Sequence, residues 1–158
     1  MTGVLRSHRL VLVVTATIAV LLAGGAVAVA DAGSGGAPAG TTVLGPGPVT
    51  VTIDVDHSRF TPTVIRVRPH TDVRFVIVNH DPIGHEFIVG GPELHARHAS
   101  GHEAYHPPVP GEVSVPADTR ASTTSSFHAP GAVEFACHLP GHYQYGMHGT
   151  VVVTPEPR

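Results

Sequence analysis

Apolar and polar residues alternate along most of the chain from residue 49 onward, which is the pattern of short β-strands. Residues 49–55 (VTVTIDV) and 63–68 (TVIRVR) alternate with a period of two, as half-buried strands do. A longer run at 70–79 has apolar Val, Phe and Ile side chains on one face. Five further runs have strand character: 85–90, 112–117, 121–129, 132–137 and 148–154. Glycines and prolines separate the runs, so the pattern predicts an all-β domain of about eight strands, a sandwich or a barrel.

The segment 91–111 lacks this alternation. It contains four histidines at helical spacing, which would place them on one helix face: His95, His98, His102 and His106. Gly101 weakens a helix here and the pair Pro107-Pro108 would end it, so we expect a loop with a short helix. The four histidines are interpreted either as polar residues of a histidine-rich loop or as a weak secondary site for copper or zinc.

The N-terminal residues 1–30 have the features of an export signal. Two arginines precede an apolar run at 10–22, and Ala28 and Ala30 form a small-residue cleavage motif. The alternative is an uncleaved membrane anchor, since the apolar stretch approaches the ~20 residues needed to span a bilayer. Both interpretations predict that the rest of the chain is exported, either to the extracellular or periplasmic space or to the outer face of the cytoplasmic membrane.

The remaining chain is expected to form one domain. Residues 31–48 are rich in Gly, Ala and Pro and are predicted to be a flexible linker. The folded domain is predicted at 49–154, followed by a tail at 155–158. Association with a membrane is expected only if the N-terminal segment stays attached, and we expect a monomer.

Composition and charge narrow the possible functions. The formal net charge is −3, and no basic cluster follows residue 9, so a nucleic-acid partner is not expected. Thirteen histidines but one cysteine are present. Exported domains use cysteines in pairs, so the single Cys137 should be deeply buried, paired with another molecule, or permanently bound to a metal.

The sequence around Cys137 favours the metal. Cys137, His142 and Met147 recur at intervals of five residues, with Cys137 ending one strand and Met147 preceding the next. Two adjacent strands joined by one loop can therefore direct a thiolate, an imidazole and a thioether to one point. This donor set suits copper, and a trigonal site needs a second imidazole, for which His80 and His85 both qualify.

These segments resemble the blue-copper cupredoxins, the plastocyanin/azurin-like family. The resemblance rests on NHDPIGHEF at 79–87 and FACHLPGHYQYGM at 135–147 and covers about residues 49–154. It implies a Greek-key β-sandwich with one type 1 copper that cycles between Cu(I) and Cu(II). Carried over by position, the implied copper ligands are His85, Cys137, His142 and Met147.

The resemblance also implies finer features of the site. His85 is preferred to His80 because it directly precedes an apolar strand, and His142 is expected at the partly exposed edge through which electrons pass. Glu86 stands where family members often have Asn or Ser. A carboxylate there could still accept hydrogen bonds, and its charge would favour Cu(II) and lower the potential.

Other chemistries fit the sequence less well. Zinc suits a Cys/His set, but a thioether is a poor zinc ligand. A binuclear copper centre needs two cysteines, and covalent haem needs Cys-x-x-Cys-His. His138, next to Cys137, could indicate a multicopper oxidase, but the chain lacks the His-x-His pairs of those enzymes. His138 and His148 are therefore expected to be bystanders.

Together these features predict an exported one-electron carrier between redox partner proteins, which are not identified, rather than an enzyme. The alternative is a copper-sequestering or copper-delivery protein of the same fold that uses the histidine-rich segment.

Overall fold

A computed structural model describes residues 42–101, 105 and 107–155. The predicted export segment and tail residues 156–158 lie outside this range, as does most of the predicted linker. The described residues form ten strands and one helix. The strands are β1 (Val43–Leu44), β2 (Gly47–Asp56), β3 (Arg59–Thr61), β4 (Val64–Val67), β5 (Thr71–Asn79), β6 (His85–Gly90), β7 (Glu112–Val115), β8 (Arg120–Phe127), β9 (Gly131–Ala136) and β10 (His148–Val153), and helix α1 is Pro92–Ser100.

The strands form two sheets, as expected for a β-sandwich. One sheet has the order β1-β4-β10-β9-β6-β7 and the other has the order β3-β2-β5-β8. Both sheets are mixed. The pairs β2–β5 and β4–β10 are parallel, whereas the pairs β5–β8 and β9–β10 are antiparallel. The all-β prediction is confirmed, and so is the short helix in the segment 91–111.

The sandwich is held together by the apolar faces that the alternation identifies. Val73, Phe75 and Ile77 of β5 are fully buried. The ring of Phe87 on β6 packs against three others, at centroid distances of 5.1 Å to Phe75, 5.6 Å to Phe60 and 5.2 Å to Phe135. This aromatic cluster joins β3, β5, β6 and β9, and its area burial and ring contacts fix how the two sheets pack.

Two short strands were not expected from the pattern. β1 pairs in parallel with β4, and β3 pairs with the end of β2. β1 and the start of β2 fall inside the segment 31–48, so regular structure begins at Val43 rather than near residue 49. Leu44 anchors this segment by packing against the core. The strand has only two residues, which are too few to produce a periodic pattern.

Among the described residues, no helix is long and apolar enough to cross a membrane. The segment for which an anchor was considered lies outside those residues.

Candidate copper site

The site lies at one end of the sandwich, where β9 ends and β10 begins. His148 pairs with Ala136, so Cys137 and Met147 face each other just beyond the paired strands. The Cys137 N–H donates to the Met147 carbonyl at 3.0 Å, and the Met147 N–H donates to the His142 carbonyl at 3.1 Å. These bonds close the loop and hold the backbones of three predicted ligands together.

The loop between these strands is a series of tight turns. Its bonds run from the His142 N–H to the Leu139 carbonyl (3.0 Å) and from the Tyr145 N–H to the Gly141 carbonyl (3.1 Å). Gly141 has φ of 84°, in the left-handed region that glycine enters at little cost. The turns direct the His142 ring back toward Cys137.

Three of the four predicted ligands bring donor atoms together. Sγ of Cys137 lies 3.3 Å from Nδ1 of His142, and Nδ1 of His85 lies 3.2 Å from the same nitrogen. The three ligand atoms all lie within 4.8 Å of one another. Met147, the fourth predicted ligand, is fully buried. His80, the alternative to His85, is half exposed and contacts Asp54 at 3.1 Å, away from this group.

The donor set fits a metal ion. Two imidazole nitrogens that are each about 2.0 Å from one ion lie about 2.8–3.5 Å apart when the angle between them is about 90–120°. The separation of 3.2 Å between the histidine nitrogens falls in this range. A thiolate, two imidazoles and a thioether form the set of a blue-copper centre.

Asp81 orients His85 from the far side of the ring. Its Oδ2 atom lies 2.9 Å from Nε2 of His85. Because a carboxylate accepts the Nε2 proton, the lone pair of the neutral ring lies on Nδ1, which faces Cys137 and His142. Asp81 is itself fixed by the N–H groups of His57 (2.7 Å) and Ser58 (2.8 Å).

The electrostatics of this pair favour the arrangement. Burial raises the pKa of Asp81, but the two backbone donors and the His85 ring outweigh it, so the pKa lies below its ordinary value. Burial lowers the pKa of His85, opposed by the hydrogen bond to Asp81. The sequence did not identify Asp81, because an Asp-Pro pair between two strand runs is typical of a turn and gives no sign of a role at the site. Its position four residues before a predicted ligand was the available clue.

Cys137 is fully buried. Burial raises the pKa of its thiol to about 12. A metal that binds there must displace the thiol proton, since the thiolate is the ligand. The sequence left three possibilities for the lone cysteine: burial, pairing with another molecule, or metal binding. Pairing with another molecule is disfavoured, because no surface of the side chain is accessible.

Glu86 connects the first ligand to the cysteine segment. It is buried, and its Oε1 atom accepts the N–H of His138 at 2.7 Å. Its Oε2 atom lies 3.3 Å from Nδ1 of His98 on α1. The expectation that a carboxylate could accept hydrogen bonds at this position is confirmed.

The predicted secondary set is only partly described. His102 and His106 lie outside the described residues. His98 contacts two carboxylates, with its Nε2 2.7 Å from Oε2 of Glu112. His95 is buried and contacts His138 instead of another helix residue. His138, which was expected to be a bystander, lines a cavity beside the site. His148 is exposed and stacks on Tyr143.

A β-sandwich with a Cys-His-His-Met group at one end defines the cupredoxin class. The family model described as copper binding proteins, plastocyanin/azurin family, matches residues 48–154. The chain belongs to this family, and copper is its cofactor.

Similar proteins agree with this assignment. A protein of Rubrivivax gelatinosus named copper-resistant cuproprotein CopI is 39% identical over 101 residues, which are 62% of this chain and 61% of that protein. A protein of the same name from Pseudomonas aeruginosa is 30% identical over 128 residues, covering 61% of this chain and 71% of that protein. The chain therefore spans less than two thirds of the length of the first of these relatives.

Solved structures show the same fold. The structure of auracyanin B is 27% identical with a TM-score of 0.56, and the match covers 73% of this chain and 96% of that one. Auracyanin A, titled a "blue" copper protein from Chloroflexus aurantiacus, is 25% identical with a TM-score of 0.54, covering 68% and 100%.

Proposed function

We propose that the protein is an exported type 1 copper protein that transfers single electrons between redox partner proteins. The observation that carries this proposal is the convergence of Cys137 Sγ, His85 Nδ1 and His142 Nδ1 within 4.8 Å. Bound copper supplies a one-electron change between Cu(I) and Cu(II). Met147, whose backbone is bonded to both Cys137 and His142, would supply the fourth donor, a thioether.

The protein's own residues support electron transfer rather than substrate chemistry. Four side-chain ligands leave no open position for a substrate, so we propose that the protein is not an enzyme. Buried His85 is held by Asp81, and Cys137 and Met147 are fully buried, which excludes water from their donor atoms. A site held this rigidly changes little between oxidation states, and small reorganisation favours rapid electron exchange.

His142 is the proposed exit for the electron. It is the one partly exposed residue of the four, and exposed Tyr143 and Tyr145 follow it in the same loop. A redox partner that docks on this end of the sandwich would contact His142, which is itself a predicted copper ligand. We place this partner outside the cytoplasm because of the export features of residues 1–30.

The test is a spectrum with a redox titration. Adding Cu(II) to the purified protein should give an intense visible thiolate-to-copper band at one copper per chain, which Cys137→Ser abolishes. His80→Gln should keep the band, because His80 is the rejected ligand. Anaerobic titration should then be reversible with one electron. A colourless one-copper complex contradicts the type 1 assignment, and an irreversible titration contradicts the carrier role.

A second candidate function is copper resistance by copper handling. It is favoured by the two relatives named copper-resistant cuproproteins. Expression of the chain in a copper-sensitive bacterial host should then raise the copper concentration that permits growth, and Cys137→Ser should remove the effect. Equal growth with the wild type and with an empty vector contradicts this function. That result would leave the type 1 assignment standing, because the spectrum tests it separately.

A further inference from the structure

A cavity of about 690 Å³ lies beside the copper site, between helix α1 and the loop that follows β9. Two histidines from these different elements meet in its wall. Nδ1 of His95 lies 2.8 Å from Nε2 of His138, and the two rings are 5.1 Å apart at an interplanar angle of 65°. Neither residue belongs to the predicted type 1 ligand set, so the two rings form a pair of imidazole nitrogens separate from that site.

The far nitrogen of His95 determines which atom can bind a metal. Its Nε2 lies 3.2 Å from the carbonyl oxygen of Glu134. A carbonyl only accepts, so Nε2 carries the proton and the lone pair of the neutral ring lies on Nδ1. Metal-binding histidines commonly donate their other N–H to a backbone carbonyl in this way.

His138 is also held in place. Its ring stacks on Tyr143 at an interplanar angle of 9°, and the Tyr143 hydroxyl donates to Oε1 of Glu134 at 2.8 Å. Glu134 therefore supports both histidines, through its carbonyl on one side and its side chain on the other. The backbone N–H of His138 is bonded to Glu86. Both rings are thus oriented before any ion arrives. Without a metal, Nε2 of His138 donates its proton to Nδ1 of His95, and this proton must move to Nδ1 of His138 or to water when Nε2 binds a metal.

The separation of the two nitrogens is that of a hydrogen bond, and it is also one that a Cu(II) ion could bridge with little movement of the rings. Two nitrogens about 2.0 Å from one ion and about 90° apart lie about 2.8 Å from each other. Neighbouring positions at about 90° are those of tetragonal Cu(II), whereas a tetrahedral zinc ion would hold them about 3.3 Å apart. Glu86, His98 and Glu134 also line the cavity. Its volume of about 690 Å³ leaves room for water molecules at the other coordination positions of an ion.

We propose that His95 Nδ1 and His138 Nε2 form a second, accessible Cu(II) site in this cavity, next in sequence to the type 1 cysteine. The site takes one ligand from the expected histidine set of this helix: His98 contacts carboxylates, whereas His95 turns toward β9. It deepens the copper-handling function proposed above. It would hold copper more loosely than the type 1 centre, since only two protein nitrogens are fixed in position.

The experiment uses the full chain and Cu(II) alone. After the type 1 centre is filled, a second equivalent should bind with an electron paramagnetic resonance signal that shows two imidazole nitrogens. His95→Gln and His138→Gln should each weaken this second binding at least tenfold while the thiolate-to-copper band stays. His57→Gln, an exposed histidine elsewhere, should behave as the wild type. In Cys137→Ser the second site should bind copper without any type 1 signal.

Each other outcome overturns the proposal. The contact is only a hydrogen bond between two histidines if no second copper binds, or if the second copper shows one imidazole nitrogen. Unchanged binding in His95→Gln would lead to the same conclusion. Binding of zinc in preference to copper would overturn the choice of ion. If His95→Gln loses the type 1 band through misfolding, the imidazole count in the wild type decides. Failure of the type 1 assignment appears separately, as loss of the visible band in the wild type.

Discussion

Nε2 of His85 lies 2.9 Å from Oδ2 of Asp81, and both side chains are buried. This contact fixes the tautomer and the rotation of the ring, so that Nδ1 faces Cys137 and His142. The carboxylate also accepts two backbone N–H groups from residues 57 and 58. One side chain thereby connects the β2–β3 turn to the copper site.

We expect Asp81→Ala to lower copper affinity about 10–100-fold, which is the usual effect of removing the hydrogen-bond partner of a metal-binding histidine. Asp81→Asn should retain more affinity, because the amide oxygen of Asn can still accept one of the hydrogen bonds that the carboxylate accepts. Competition titration against a chelator of known affinity measures the change. Asp56→Asn, an exposed aspartate, is the control. Equal affinities for Asp81→Ala and the control would contradict the orienting role.

Glu86 should set both the stability and the redox potential. Glu86→Gln keeps an oxygen that can accept the His138 N–H but removes a negative charge near the copper. Loss of this charge destabilises Cu(II) relative to Cu(I), so the midpoint potential should rise, with about 59 mV for each tenfold change in relative affinity. Potentiometric titration tests this, and exposed Glu93→Gln on α1 should leave the potential unchanged. A lower potential in Glu86→Gln would contradict the charge argument.

Glu86→Ala removes the acceptor as well as the charge. The partly buried His138 N–H then lacks its partner, which should lower the free energy of unfolding by about 1–3 kcal/mol. Chemical denaturation of the copper-free protein measures it. Similar stability of the Ala and Gln variants would show that this hydrogen bond contributes little.

The alternation of apolar residues was sufficient to predict the long strands and the sandwich, because each of these strands buries one face. It could not predict β1 or β3, whose two or three residues are too few to show a period. The ligands near Cys137 were predictable because one loop carries them. Asp81 and the contact between His95 and His138 were not, because they depend on how distant segments pack: α1 and the β9–β10 loop are about forty residues apart in sequence.

The copper-free thiol of Cys137 should be nearly inert to alkylation. With a pKa raised to about 12 by burial, about one thiol in ten thousand is ionised at pH 8. We expect reaction with iodoacetamide at least a hundredfold slower than in the denatured protein, where the pKa returns to its ordinary value. The rate in the native protein should still increase as the pH rises above 9. Rapid labelling at pH 8, measured by mass spectrometry, would show that the thiol is accessible.

Gly149, the second residue of β10, should be intolerant of any side chain. A Cβ at this position would overlap the ring of Phe135 and lie 2.5 Å from the carbonyl oxygen of Thr63. Phe135 belongs to the aromatic cluster under the copper site, and β10 is paired on both sides, so neither neighbour can move without breaking contacts. Gly149→Ala should therefore lower the free energy of unfolding by about 1–3 kcal/mol, as overpacking a core does.

The control for Gly149 is Gly91→Ala, at the start of α1. Gly91 has φ of −79°, which any residue adopts, and a Cβ there would meet only Glu93 Oε2 at 3.5 Å. Its effect on stability should be at most about 1 kcal/mol, the usual cost of placing Ala at the N-cap of a helix. Because Phe135 lies two residues before Cys137, Gly149→Ala should also shift the visible copper band, and Gly91→Ala should not. Equal denaturation midpoints for the two variants would contradict the tight packing of β10 on Phe135.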